Sequence, residues 1–255
     1  MRAVRLPLLP AVLAGAVLAG VACGGSPSSA PAAPASTVVD PSTAARISGR
    51  VRVDGPVPPD DVVRIDADKH CVSLNGSDQL PSGAIVLGPG QALQHVFVYV
   101  KSGLEKTTFP IPNEPVVVDQ QTCRYVPRVL GVRVGQPVQI RNGDPLLHNV
   151  RSDSDINQPF NQGQPVQGMV FNHTFTTREV MVPLKCDVHA WMHAWVGVLE
   201  HPYFAVSGEA GTFTLPDLPP GTYTLEAWHE RLGTREQQVT IGAKDTKDVE
   251  FTFAR

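Results

Sequence analysis

The chain has 255 residues, 42% of them hydrophobic, and a formal net charge of −3, enough material for one large or two modest cores. No basic patch interleaved with aromatics occurs, which sets nucleic-acid binding aside. The 24 prolines and 22 glycines are dispersed between short apolar runs, a pattern of turns and strands rather than of long helices.

The first stretch, "MRAVRLPLLPAVLAGAVLAGVACGG", has two early arginines, an apolar run and then small residues ending at Cys23. It reads as a secretory signal over 1–23. The "GVAC" core resembles the lipobox of bacterial lipoproteins, which makes Cys23 the lipidation site and ties the protein to a membrane by a lipid anchor. Gly20 departs from that pattern, so plain signal-peptidase cleavage stays open. Pro7 and Pro10 break the run, which disfavours a retained membrane span. Residues 24–44 are rich in Ser, Pro and Ala and carry too few large apolar side chains to fold, so they read as a disordered tether. The expected location is the periplasm or the outer cell surface, an oxidising space.

Strand-like runs follow: "RISGRVRV", "HVFVYV", "PVVVDQ", "LGVRVGQPVQIRN", "MVFNHTFT", "REVMVPLKC", "WVGVLEH", "GTFTLPDL", "GTYTLEAWHE", "REQQVTI" and "DVEFTF". Turn clusters such as "VDGPVPP", "RNGDP" and "LPPG" separate them. No segment sustains a helical period, so the fold class is all-β, of sandwich type.

Four cysteines divide by context. Cys23 belongs to the anchor and Cys186 to a ligand-rich loop. Cys71 and Cys123 remain, and a disulfide between them is the economical assignment in an exported protein; two ordinary buried thiols are the alternative.

"GEAGTFTLPDLPPGTYTLEAWHE" (208–230) resembles the carboxypeptidase regulatory-like, or transthyretin-like, β-sandwich module. "ISGRVRVDGPVPP" (47–59) and "HVFVYVKSG" (95–103) are similar to that module's opening and middle strands. The resemblance implies a discontinuous module over 45–110 and 201–255, with a second domain, 111–200, inserted. Two consecutive domains are the competing arrangement.

Within the insert, "LGVRVGQPVQIRNGDPLLHNV" leads to His148-Asn149, and "PLKCDVHAWMHAWVGVLEH" supplies Cys186, His189 and Met192. Two imidazoles, a thiolate and a thioether suit copper that cycles between two oxidation states, whereas methionine is a poor zinc ligand. Cys-x-x-His-x-x-Met places three ligands on one tight loop between strands, and the fourth comes from a neighbouring strand. These residues resemble the cupredoxins, above all the amicyanin-like subgroup, and the wider group of methylamine-utilisation or plastocyanin-like proteins. The resemblance implies a Greek-key cupredoxin sandwich binding one type 1 copper ion per chain. In it His148, Cys186 and His189 are the strong ligands and Met192 the axial one, with His193 a competitor for the axial place. It also implies that Asn149 braces the ligand loop through hydrogen bonds. The polar connection 151–168 carries no readable element.

Trp191 and Trp195 read either as core or as an apolar docking surface around an exposed His189. Asp187 reads as a solvated loop carboxylate. His70, His95, His173, His201 and His229 read as ordinary surface or hydrogen-bonded residues. No catalytic constellation is visible, and a metal held by four protein ligands has no open position, so no enzyme is expected. The function expected is one-electron transfer with a redox protein such as a c-type cytochrome or a periplasmic oxidoreductase. Copper delivery, or a surface binding module with a structural metal, are the alternatives.

Overall fold

The computed structural model describes residues 39–105 and 107–254. The signal segment, Cys23 and most of the tether lie outside the described residues. Among the described residues no helix is long and apolar enough to cross a membrane.

The fold is all-β, built as two sandwiches. In the outer one, Ala45–Asp54 runs antiparallel to Thr212–Leu218 and parallel to Thr246–Ala254. The facing sheet has the order Phe204–Val206, Phe97–Ser102, Gly221–His229, Gly233–Ile241. Alternation along these strands sends Ile47, Val51, Phe213, Leu215, Phe251 and Phe253 inward against Val98, Val100, Leu225, Ala227, Val239 and Ile241. Each such buried Val, Leu, Ile or Phe side chain contributes about 1.5–3 kcal/mol relative to exposure.

The central sandwich has a five-stranded sheet of order Phe160–Gln164, His148–Ser152, Glu179–Lys185, His193–Leu199, Val129–Arg133. It faces a four-stranded sheet of order Val170–Thr174, Pro137–Asn142, Val116–Gln121, Arg124–Val126. Val129–Arg133 and His193–Leu199 pair in parallel, so the chain must leave and return between them. That excursion carries the functional candidates. The polar connection 151–168, which showed no readable element, supplies the edge strand beside His148–Ser152. Its turn is held by Glu179, which accepts from the Ser154 hydroxyl, the Asp155 N–H and the Asn157 amide.

One boundary differs from the sequence expectation. Residues assigned to the outer module include Val62–Arg64, the helix Lys69–Asn75 and Gln79–Pro81, yet Ile65, Cys71 and Leu80 pack in the central core. The reason is covalent: Cys71 is joined to Cys123 by a disulfide, and Cys123 follows the strand Val116–Gln121.

A third apolar cluster joins the sandwiches, with Phe97, Tyr99 and Phe204 from one meeting Val129, Met181 and Leu199 from the other. Two glycines permit this approach. A Cβ at Gly197 would lie 2.3 Å from the Phe97 ring, and one at Gly131 would lie 2.3 Å from the Phe204 ring.

Candidate metal centre

The site forms at one end of the central sandwich, from two turns and the upstream helix. Asn142 ends its strand and organises the first turn: its amide donates to the Leu146 and Gln164 carbonyls, and its Oδ1 accepts from Asp144 N–H. This turn delivers His148, the first residue of its strand, fully buried. The second turn spans 186–192, closing a hairpin in which Lys185 pairs with His193. Cys186 N–H donates to Met192 O at 3.4 Å and Met192 N–H to His189 O at 2.9 Å. These bonds draw Cys186, His189 and Met192 around one small ring of backbone.

The ligand atoms of His148, Cys186 and His189 all lie within 4.8 Å of one another, and all three residues are buried. The Nδ1 atoms of the histidines are 2.9 Å apart, and Cys186 Sγ is 4.0 Å from His189 Nδ1. Met192 is buried in the same core cluster as Cys186. His193 joins none of the clusters of His, Cys and acidic side chains among the described residues; it lines a neighbouring cavity.

Each imidazole has a carboxylate on its far nitrogen. His148 Nε2 is 2.9 Å from Asp144 Oδ2, and His189 Nε2 is 3.2 Å from Asp68 Oδ2. Burial works to raise the Asp144 carboxyl, but hydrogen bonds from His148 and from the Cys123 and Thr122 N–H groups hold it below its ordinary range. Asp68 is likewise raised by burial and lowered further by His189 and by the His70 and Cys71 N–H groups, with a net lowering. Burial disfavours a charged His148, yet its bonds to Asp144 and Cys186 leave its pKa raised. For Cys186, burial alone would push the thiol up. Hydrogen bonds from His148 and His189 and from the Asn149 and His189 backbone bring it down to about 6, toward the thiolate that metals bind.

This arrangement suits a cation. An ionised carboxylate on each Nε2 favours a proton there, which leaves the two facing Nδ1 atoms to share a proton or a metal ion beside a thiolate-prone sulfur.

Asn149 bonds across to the start of the turn 186–192. Its Oδ1 accepts from Asp187 N–H at 2.6 Å, and its amide donates to Asn161 Oδ1 and Asp187 Oδ2. Asp187 is more than a solvated carboxylate: it also accepts from Asn161 and pairs with Arg151 at 2.9 Å. Tyr125, unremarked in the sequence, places its hydroxyl 2.6 Å from Asn149 O and 3.1 Å from Lys185 O, linking both ligand-bearing strands.

Two expectations are corrected. His189 is 1% exposed rather than open to solvent, because Asp68 and the disulfide cover it; Cys71 Sγ lies 3.6 Å from His189 Nε2. Trp195 packs against Trp228, ring centroids 5.2 Å apart, in the cluster joining the sandwiches, so it is no part of a surface around the ligand loop. Trp191 stays beside the site, its ring 5.0 Å from His189 and its indole N–H donating to Cys123 O. With Leu80, Arg124, Met192 and His193 it lines an apolar cavity of about 590 Å³. Of the remaining histidines, His201 donates to Val100 O and His229 accepts from the Arg231 and Leu232 N–H groups, and His173 stacks among Phe160, Phe171 and Phe175.

Residues 195–254 match the family model of the carboxypeptidase regulatory-like domain, which takes in the end of His193–Leu199 and the outer strands after it. Among solved structures, the chain is similar to a Cu-containing nitrite reductase (NirK) from Thermus scotoductus SA-01, at 23% identity and a TM-score of 0.33. That likeness covers 41% of this chain and 26% of the reductase, so the chain spans about a quarter of it. It is also similar to a purple cupredoxin from Nitrosopumilus maritimus, at 23% identity and a TM-score of 0.29 over 32% of this chain and 98% of that one. Amicyanin from Paracoccus versutus matches at 21% identity and a TM-score of 0.31, over 40% of this chain and 96% of its own. No curated protein matches the chain.

Proposed function

We propose that this protein is an exported, lipid-anchored one-electron carrier whose central sandwich holds a single type 1 copper ion. His148, Cys186 and His189 would be the strong ligands and Met192 the fourth. The observation that carries this reading is the pair of Nδ1 atoms turned toward each other at 2.9 Å beside Cys186, inside a buried, cross-braced end of a sandwich. Thiolate, imidazole and thioether form the donor set that suits copper, which when bound there supplies a one-electron couple.

The chain's own contribution is rigidity and exclusion of water. His148 opens a strand, Cys186 directly follows one and His189 sits in the turn between two, with these turns closed by Asn142, Asn149 and Tyr125. Ligands held in this way move little between oxidation states, which keeps electron transfer fast. Delivery of copper to an acceptor needs a ligand that an incoming group can reach; the burial of all four favours a carrier over a delivery protein. With His189 covered, electrons would enter past Trp191, where the apolar cavity offers a small docking face to a redox protein such as a c-type cytochrome.

Titration with Cu(II) tests the reading. The protein should take up one Cu(II) with an intense visible thiolate-to-copper charge-transfer band, lost in Cys186→Ser and kept in His229→Gln. A colourless complex overturns it.

A further inference from the structure

The helix Lys69–Asn75 is far from the ligand loop in sequence and joins no strand of the central sheets, yet it sits against His189. We propose that Asp68, at its N-terminus, is a positioning residue for His189, held there by the Cys71–Cys123 disulfide. The proposal rests on the metal reading given above.

The two carboxylates at the site are used alike. Asp144 accepts from Thr122 N–H through Oδ1 at 2.7 Å and from Cys123 N–H through Oδ2 at 2.8 Å, and the same Oδ2 meets His148 Nε2. Asp68 accepts from the His70 and Cys71 N–H groups through Oδ1, at 2.8 and 3.4 Å, and gives Oδ2 to His189 Nε2. Each carboxylate is therefore shared between one imidazole and the backbone N–H of one half of the same disulfide. The bridge spans the two carboxylate–imidazole pairs and fixes their separation.

The two pairs differ in origin. Asp144 lies four residues before His148 on one turn, so that pair is local. Asp68 and His189 are separated by 121 positions, and the cross-link to Cys123 is what carries Asp68 to the site. An imidazole without a partner on Nε2 is free to place its proton on Nδ1 or to turn its ring over. Either change removes the Nδ1 acceptor that faces His148 Nδ1 beside Cys186. An ionised carboxylate on Nε2 forbids both, and it makes the ring a stronger donor. It also closes the ring edge that would otherwise face solvent.

Asp68→Asn separates this role from helix capping. Asparagine caps a helix as well as aspartate does, but it cannot present an acceptor both to the backbone N–H groups and to His189. In the metal-free variant, nitrogen-15 NMR of the imidazoles should show His189 moving from the Nε2–H to the Nδ1–H tautomer, with His148 unchanged. Cu(II) affinity should fall roughly 10–100-fold. Cys71→Ser/Cys123→Ser should reproduce the His189 change and again spare His148. If His189 keeps the Nε2–H tautomer in Asp68→Asn, the positioning role is overturned. If it keeps it in the double variant, the role of the disulfide is overturned. Should the unaltered protein take up no Cu(II), the copper reading fails, and the tautomer of metal-free His189 still decides the role of Asp68.

Discussion

The two sandwiches follow one alternation rule but bury different chemistry. The outer core is mainly hydrocarbon and aromatic, with Val51, Val98, Leu225 and Phe253 typical of it, and its buried His201, Glu226 and His229 join no cluster of His, Cys and acidic groups among the described residues. The central core has the same apolar middle, in Val118, Ile140, Val182 and Val196, but one end is filled by Asn142, Asp144, His148, Cys186 and His189. Buried polar groups cost stability unless each finds a partner. The central sandwich meets that demand at its polar end with a disulfide, an asparagine-organised turn and a tyrosine bonded to two strands. The comparison teaches that a cluster of buried polar groups goes with reinforcement of one end, while the separate buried histidines of the outer side are met by backbone bonds.

The largest effect that sharpens this contrast is removal of the disulfide. The bridge spans 52 positions, and closing such a loop in the unfolded chain stabilises by about 4 kcal/mol in the chain-entropy account. Cys71→Ser/Cys123→Ser should lower the urea midpoint accordingly, with hydrogen exchange rising first in the helix Lys69–Asn75 and around His189. A loss spread evenly over both sandwiches would break the comparison.

Acid should act on both sandwiches, at different pH. His201 and His229, on the outer side, are pushed by burial down to about 4 from the ordinary 6.5. On the central side, burial would raise Glu179, but bonds from Ser154, Asn157 and Asp155 bring it down to about 2 from 4.5. All three pKa values are depressed in the fold, so the unfolded chain binds more protons on acidification and stability falls with pH. Each histidine contributes about 3 kcal/mol above pH 6.5, lost by about pH 4, and Glu179 a similar amount above pH 4.5, lost by about pH 2. Urea midpoints measured from neutral to acid pH should decline in two stages. A midpoint flat down to about pH 4 contradicts the assignment for the histidines.

Smaller effects belong to the junction and the brace. Gly197→Ala places a methyl inside contact distance of Phe97 and should cost roughly 1–3 kcal/mol. It should do so without altering the copper spectrum, since the junction lies away from the ligand loop; a changed spectrum would mean that the two halves are coupled. Asn149→Ala removes the acceptor of Asp187 N–H and two donor contacts, for about 1–2 kcal/mol and a broadened spectrum. A variant as stable as the parent would dismiss the brace.

Much of this was legible in the residues, and the rest was hidden for definite reasons. The strands showed through period two, and Cys186, His189 and Met192 declared themselves because one short loop holds them. His148 was readable from its place after "NGDP" beside an asparagine. Asp68 was not, since it lies 121 positions from His189 and meets it through a cross-link rather than through any local pattern. The seven-residue helix is too short to show a period. Trp195 alternates as any strand residue does, and nothing local says that its neighbour is Trp228 across a junction. The exposure expected of His189 failed for the same reason: what covers it comes from a distant segment.

The central claim, a buried one-electron site in the central sandwich, is tested most directly by spectroelectrochemical titration of the copper-loaded protein. The account predicts that the visible charge-transfer band bleaches with one electron per chain and returns in full over repeated cycles, with no metal lost. Absence of the band, or release of copper on reduction, would contradict it.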